Sequence, residues 1–269
     1  MKRFVGFVTG MLFSLPAIVS QADSGWFWEN PSPQGNELKD VCFVANEGWA
    51  VGVLGTAIHT SDGGETWQLE DLGRTETFHA VHMQDDSTIW IVGDGGLILF
   101  TRDGGNTWTE QTSNTDASLY SVCYHANGCG WIAGENGLIL RTTDMGTTWS
   151  PQTSKTPLSI HCLHHIDETT AWAVGPFGLI LHTSDWGITW NTQHSPTVKD
   201  LYAVDIGTFE NIRAAGLEGI ILHSSDEGET WQLENEDRAY NLYDVLNVGL
   251  NNAYAVGNQG TIMETVDYG

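Results

Sequence analysis

Basic side chains are scarce. The 269-residue chain carries 10 Lys and Arg against 34 Asp and Glu, a formal charge of -24. Nucleic-acid phosphates are bound by Lys and Arg that displace counterions, so nucleic acid is not an expected partner, and anionic membrane surfaces are disfavoured for the same reason. Cys and Pro are also few, at 4 and 7, and only 16% of residues are charged. Beyond residue 22 no apolar run approaches the roughly 20 residues that a membrane span requires. The chain is instead rich in Gly (31) and Trp (12), with 41% hydrophobic residues. That composition argues against disorder and suits many short strands joined by tight turns, so an all-β fold is expected.

Met1 to Ala22 reads as a signal peptide. Lys2 and Arg3 precede a mostly apolar stretch from Phe4 to Val19, and Ser20-Gln21-Ala22 places small side chains where signal peptidase needs them. Gly6, Gly10, Ser14 and Pro16 interrupt the stretch, which is too short for an anchor. Cleavage would leave Asp23 as the N-terminus and a single domain over 23–269, periplasmic or extracellular. Losing Lys2 and Arg3 leaves 10 − 2 = 8 bases against 34 acids, or -26.

The architecture follows from a repeat. Asp62, Asp103, Asp144, Asp185, Asp226 and Asp267 recur every 41 residues, as do Gly55, Gly96, Gly137, Gly178, Gly219 and Gly260. Trp26, Trp67, Trp108, Trp149, Trp190 and Trp231 keep the same interval. The second unit reads as strands at Phe78 to Met83, Thr88 to Val92, Leu97 to Thr101 and Thr107 to Gln111, divided by polar or Gly-containing turns. Four strands in about 40 residues define a propeller blade, so the prediction is a six-bladed β-propeller. Trp26 lies one interval before Trp67, and the last unit stops at Asp267-Tyr268-Gly269. Gly25 to Glu29 is therefore expected to supply the outer strand of the sixth blade and remove its edge. A longer gene with further blades is the alternative.

Each unit carries a turn of the form Ser/Thr-x-Asp-x-Gly-x-Thr-Trp: Thr60 to Trp67, Thr101 to Trp108, Thr142 to Trp149, Thr183 to Trp190 and Ser224 to Trp231, with a half copy at Thr265 to Gly269. Asp can accept from turn amides, Gly can take a positive φ, and Trp can pack beneath the hairpin. The motif resembles the Asp-box, or bacterial neuraminidase repeat. What the resemblance implies for Asp62, Asp103, Asp144, Asp185, Asp226 and Asp267, and for Trp67, Trp108, Trp149, Trp190 and Trp231, is a structural role on the blade periphery.

The fuller unit runs from Leu119-Tyr120-Ser121-Val122 through Gly130-Trp131-Ile132-Ala133-Gly134 to Gly137-Leu138-Ile139-Leu140-Arg141-Thr142. It resembles the photosystem II stability and assembly factor-like propellers, over nearly all of residues 25 to 269. The resemblance implies a non-catalytic propeller in an exported compartment, without cofactor, that holds a subunit of a membrane complex during assembly. The photosynthetic members look seven-bladed and use a basic patch. This chain departs from them, with six units and, after cleavage, only Arg74, Arg102, Arg141, Arg213 and Arg238.

A sialidase-like glycoside hydrolase or a glycan binder is the alternative function, but the Phe-Arg-Ile-Pro type motif is absent and the loops between units are short. Aligning first strands puts Cys42, His82, Cys123, His164 and Asp205 at one repeat position, all of them metal-ligand types; packing between blades is the preferred account and no metal is expected. Cys123 and Cys129 flank a short hairpin and could pair, whereas Cys42 and Cys162 fall in distant blades. The expected partner is a protein. The candidate face is where first strands begin, at Lys39, His79, Tyr120, His161, Tyr202 and Tyr243, with Tyr120, Tyr202 and Tyr243 as anchors. Lys39 and Arg213 are the candidates for a partner carboxylate, although Arg213, which replaces a repeated Trp, could instead pair with Glu210 or Glu218.

Overall fold

The computed structural model describes residues 35–125, 127–236, 239–248 and 252–266. It is a six-bladed β-propeller of antiparallel sheets, each with its strands in sequence order. Five sheets have four strands; the sixth has three among the described residues, Leu242–Val248, Asn252–Gly257 and Ile262–Thr265. The expected outer strand at Gly25 to Glu29, Trp26 and Asp267 lie outside the described residues, as does the predicted signal peptide.

The second blade shows how closely pattern and structure agree. Its strands are Phe78–Met83, Ile89–Gly93, Ile98–Thr101 and Thr109–Glu110, within two residues of the sequence-based boundaries. Between second and third strands every blade adds a single 3-10 turn, whose middle residue is left-handed: Leu54, Gly95, Asn136, Phe177, Glu218 and Gln259 all have φ near +60°. The repeated Gly follows it. At Gly96, φ is +73° and a Cβ would lie 1.9 Å from the carbonyl oxygen of Thr115, so no larger residue fits.

First strands pack blade to blade in chain order, from Leu38–Val44 to Leu242–Val248. Among the described residues no comparable packing joins the sixth blade to the first. Ile262 is accordingly 72% exposed, while Ile98, Ile139 and Ile180 at the same repeat position are fully buried. Between neighbouring blades the core is apolar. Trp90, Val92 and Ile98 of the second blade meet Leu119, Val122 and Ile132 of the third, and Trp90 stacks on Tyr124 with ring centroids 3.6 Å apart. Burying such surface is the main stabilising term of the fold.

Second-strand tryptophans Trp49, Trp90, Trp131 and Trp172 pair in register with Cys42, His82, Cys123 and His164. The same register sets Arg213 opposite Asp205. The metal-ligand residue types thus occupy one structural position, but among the described residues no three His, Cys, Asp or Glu side chains converge. None of the four cysteines is joined in a disulfide among the described residues. Cys123 faces Trp131 across the sheet, and the Cys129 carbonyl accepts from the His125 N–H, so Cys129 is not the partner opposite Cys123.

Candidate functional site

Five of the six residues at the first-strand starts come together on one end of the propeller. His79 and Tyr120 have ring centroids 5.0 Å apart, Tyr120 and His161 6.5 Å, His161 and Tyr202 5.7 Å, and Tyr202 and Tyr243 5.8 Å. An unbroken arc of rings therefore runs along the inner rim from the second blade to the sixth. Exposure rises at its end: Tyr120 and Tyr202 are half-buried, and Tyr243 is 53% exposed. Lys39 lies at the other end and pairs with Glu37 at 2.8 Å.

Hydrogen bonds to two adjoining 3-10 turns and to the first strand of the next blade hold three members of the arc. His79 Nε2 lies 2.7 Å from Asp94 Oδ1, the Tyr120 hydroxyl donates to Glu135 Oε1 at 3.0 Å, and His161 Nδ1 donates to the Leu201 carbonyl at 2.9 Å. Burial, and then the bond to Glu135, push the Tyr120 hydroxyl up to about 12, so it stays protonated and keeps donating. Burial works to raise Asp94, but bonds from His79 and Ser118 outweigh it and hold the carboxylate below its ordinary value. Leu54 and Phe177, at the tips of two of these turns, are each 69% exposed.

The charge on this end is acidic. Arg74 is engaged by Glu110 and Glu76, and Lys199 by Glu218 and Glu236 at 2.9 and 2.7 Å. Arg213 does not belong to the rim. It is 1% exposed and lies between the fifth and sixth blades. Its guanidinium bonds Glu234 through Nε at 2.9 Å and Nη2 at 3.2 Å, and Asn211 and Asn247 through Nη1 at 2.7 Å each. The partner is Glu234 rather than Glu210 or Glu218, because Arg213 is in register with His223 and His223 with Gln232, which brings Glu234 of the strand Gln232–Glu236 alongside the guanidinium.

The Asp-box turns occupy the opposite end and are closed hydrogen-bond units. Thr60 Oγ1 donates to Asp62 Oδ1 at 2.7 Å and accepts from Gly64 N at 3.0 Å. Asp62 in turn accepts from Thr66 N and Thr66 Oγ1 at 2.8 and 2.6 Å. The same pattern recurs at Asp103, Asp144, Asp185 and Asp226. Bonds from the Thr66 side chain and amide, then from Thr60, pull Asp62 down to about 2.

The Asp-box tryptophan differs from the expected position beneath the hairpin. Trp149, Trp190 and Trp231 are wedged against the preceding blade, where each indole N–H donates to Gln111, Gln152 or Gln193 at 3.1–3.2 Å. Those glutamines went unremarked in the sequence, although their 41-residue spacing marks them. Trp67 and Trp108 are half-buried and meet Phe43 and Trp49 edge-on, with centroids 5.7 and 5.4 Å apart.

Comparison with known proteins agrees with this fold. A structure described as YCF48 bound to D1 peptide is similar over 86% of this chain and 93% of its own, with 23% identity and a TM-score of 0.51. YCF48 from Cyanidioschyzon merolae is similar over 88% and 97%, with 20% identity and a TM-score of 0.51. An ancestral GH74 enzyme shares the fold at a TM-score of 0.66 and 13% identity, over 85% of this chain and 38% of its own. No curated protein matches the sequence. Residues 19–115 and 107–198 match the family described as photosynthesis system II assembly factor YCF48, and the chain belongs to that family.

Proposed function

We propose that this chain is an exported, non-catalytic propeller that holds a polypeptide segment of a partner protein on its aromatic rim, as an assembly factor for a membrane complex of the photosystem II type. The observation that carries the reading is the arc from His79 to Tyr243, five rings in mutual contact on one face. Such amphipathic rings supply large contact area with polar tips, as protein-recognition surfaces do. Membership in a family with one member solved bound to a D1 peptide supports a peptide as the ligand.

The chemistry of the rim selects a partner segment bearing Lys or Arg among apolar side chains. Ring faces attract cations, and Asp94 and Glu135 sit directly beside the rings. The net charge of -24 would steer a basic segment inward and repel an acidic one. Export rests on Met1 to Ala22 and its signal-peptide pattern. At the other end, the Asp-box carboxylates are committed to turn hydrogen bonds, which supports a structural role for them.

The test is titration of the purified chain against peptides from the extramembrane segments of photosystem II subunits, alongside a glycosidase panel. Saturable binding, weakened by added salt and by rim substitutions, is the expected result. Turnover of a glycoside, or peptide binding indifferent to every rim substitution, would overturn the reading.

A further inference from the structure

The left-handed residue at the tip of each 3-10 turn is held there by the backbone, and in four blades its type suits the position. Gly95 and Asn136 adopt that conformation at least cost, and Glu218 and Gln259 are polar. Leu54 and Phe177 fit neither account. Their φ values are +56° and +57°, a region that strains any residue with a large side chain, and each is 69% exposed. The tip itself projects into open space, since a Cβ built on Gly95 meets nothing within 4 Å. Two bulky apolar side chains are thus held in solvent at a conformational cost that neither core packing nor the turn offsets, which points to a contact made outside the fold.

Their placement narrows what that contact is. Leu54 and Phe177 are three intervals of 41 residues apart, half a turn in a ring of six blades, so they stand on opposite sides of the channel mouth. Each turn lies beside the first strand of the next blade: Leu54 beside the strand that carries His79, Phe177 beside the strand that carries Tyr202. The rings of His79, Tyr120, His161 and Tyr202 therefore run from one apolar tip to the other. At the fourth blade the Phe177 N–H donates to Asp200 Oδ1 at 3.0 Å and the Gly178 N–H to the Lys199 carbonyl at 2.8 Å, which ties the turn to the loop bearing Val198, itself 81% exposed. The carboxylates of Asp94 and Glu135 lie between the two tips, bonded to His79 and Tyr120.

We infer that Leu54 and Phe177 are paired apolar contacts for one partner segment, which lies across the mouth from the first blade to the fourth, with an apolar side chain against each tip and Lys or Arg over the rings between. The inference rests on the rim reading of the proposed function and adds the ligand's pattern to it: two apolar residues separated by the width of the mouth, flanking a basic stretch. Apolar contact at the two ends supplies affinity, and the acidic groups between them select the charge of the middle. A lipid surface is the less suitable occupant, because a chain of net charge -24 is repelled by anionic headgroups.

The strain at the tips makes the test sharp, because stability and binding should move in opposite directions. Leu54→Asn and Phe177→Asn install the residue that the third blade uses at this position, so both variants should fold and melt at a higher temperature than the parent chain. The probe is the photosystem II extramembrane peptide that the parent chain binds most tightly. Each variant should bind it about tenfold more weakly and the double variant about a hundredfold, since distant sites add as free energies. Removing the apolar residue at one end of the peptide should abolish the effect of one substitution and leave the other. A lowered melting temperature in the Asn variants would make the tips part of the packing, and two peptides bound per chain, each sensitive to one tip, would exclude a crossing segment; either overturns the inference. Capture of the parent chain by neutral phosphatidylcholine vesicles, lost in the double variant, would assign the tips to a membrane and overturn it as well. Binding weakened by Tyr243→Ala but unchanged in both Asn variants overturns this inference and leaves the rim reading standing, whereas no binding by any peptide overturns both.

Discussion

Asp205 stands directly across the sheet from Arg213, at the register where four other blades set Cys or His against Trp. The exchange turns a ring packing into a polar network. Asp205 accepts from the Asn247 N–H at 2.7 Å and lies 3.2 Å from His164 Nδ1, and Asn247 in turn accepts from Arg213. Side chains of the fourth, fifth and sixth blades are thereby connected. Such a network is stable when every member is satisfied and costly when one is removed.

Arg213→Ala should therefore destabilise the fold by about 3 to 5 kcal/mol, because it strands the Glu234 carboxylate in a buried site. The double variant Arg213→Trp with Glu234→Gln installs the residues that other blades use and should recover most of that loss. Denaturant unfolding of both proteins reads the difference. Equal losses would mean that the ion pair and its replacement are not equivalent fillings of the site.

In the Asp-box the buried member is the hydroxyl. Thr142 Oγ1 accepts from Gly146 N at 2.9 Å and donates to Asp144 Oδ1 at 2.8 Å, and Thr142 is 2% exposed. Thr142→Ala leaves the Gly146 amide unsatisfied and should cost about 1 to 3 kcal/mol. Thr142→Ser should be close to neutral, since Ser224 fills the same role in the fifth blade. Peptide binding at the far end should survive both changes; its loss in a folded protein would move the box into the binding machinery.

How much of this was legible follows from what repeats. The 41-residue interval carries the blade, the box and the rim, because identical backbone geometry demands the same residue types in each copy. The intervals also contain Gln111, Gln152 and Gln193, but a lone Gln on a short outer strand looks like surface until its indole partner on the next blade is seen. Arg213 was visible as a break in the Trp series, yet its partner was not, because Glu234 becomes its neighbour only through the pairing of the second, third and fourth strands. Burial decided its role: a side chain 1% exposed cannot also meet a partner protein.

Acid should weaken the fold in two stages. Burial, then the neighbouring His164 and His125, push His165 down to about 3. The unfolded chain takes up that proton near pH 6.5, whereas the folded one does not until about pH 3. Stability should therefore fall as pH drops from about 6.5 toward 3, by at most about 1.4 kcal/mol per pH unit from this group. His165→Phe should flatten the slope between pH 6 and 4. The aspartates behave as depressed acids: what they contribute is present above about pH 4 and lost as pH falls toward 2, the value to which Asp62 is held. Thermal melts across pH 7 to 2 would show both stages. An unchanged slope in His165→Phe would assign the first to other histidines.

Among the rim residues, Tyr243 offers the cleanest measurement. It is 53% exposed and touches the arc through Tyr202 alone among the described ring contacts, so its removal should cost little stability. Tyr120 is half-buried and bonded to Glu135, which makes Tyr120→Phe the better probe there, since it keeps the ring and removes only the donor. Aromatic anchors at interfaces commonly cost 2 kcal/mol or more when truncated, about a thirtyfold loss of affinity. Tyr243→Ala and Tyr202→Ala should each weaken binding of a Lys- or Arg-bearing peptide by about that factor with an unchanged melting temperature for Tyr243→Ala. Tyr120→Phe should preserve affinity if the ring face carries the contact, and lower it if the Glu135-bonded hydroxyl does. Substitutions on the outer strand Gln68–Glu70 should have no effect on binding, and a larger effect there than at the tyrosines would place the binding face on the blade edge.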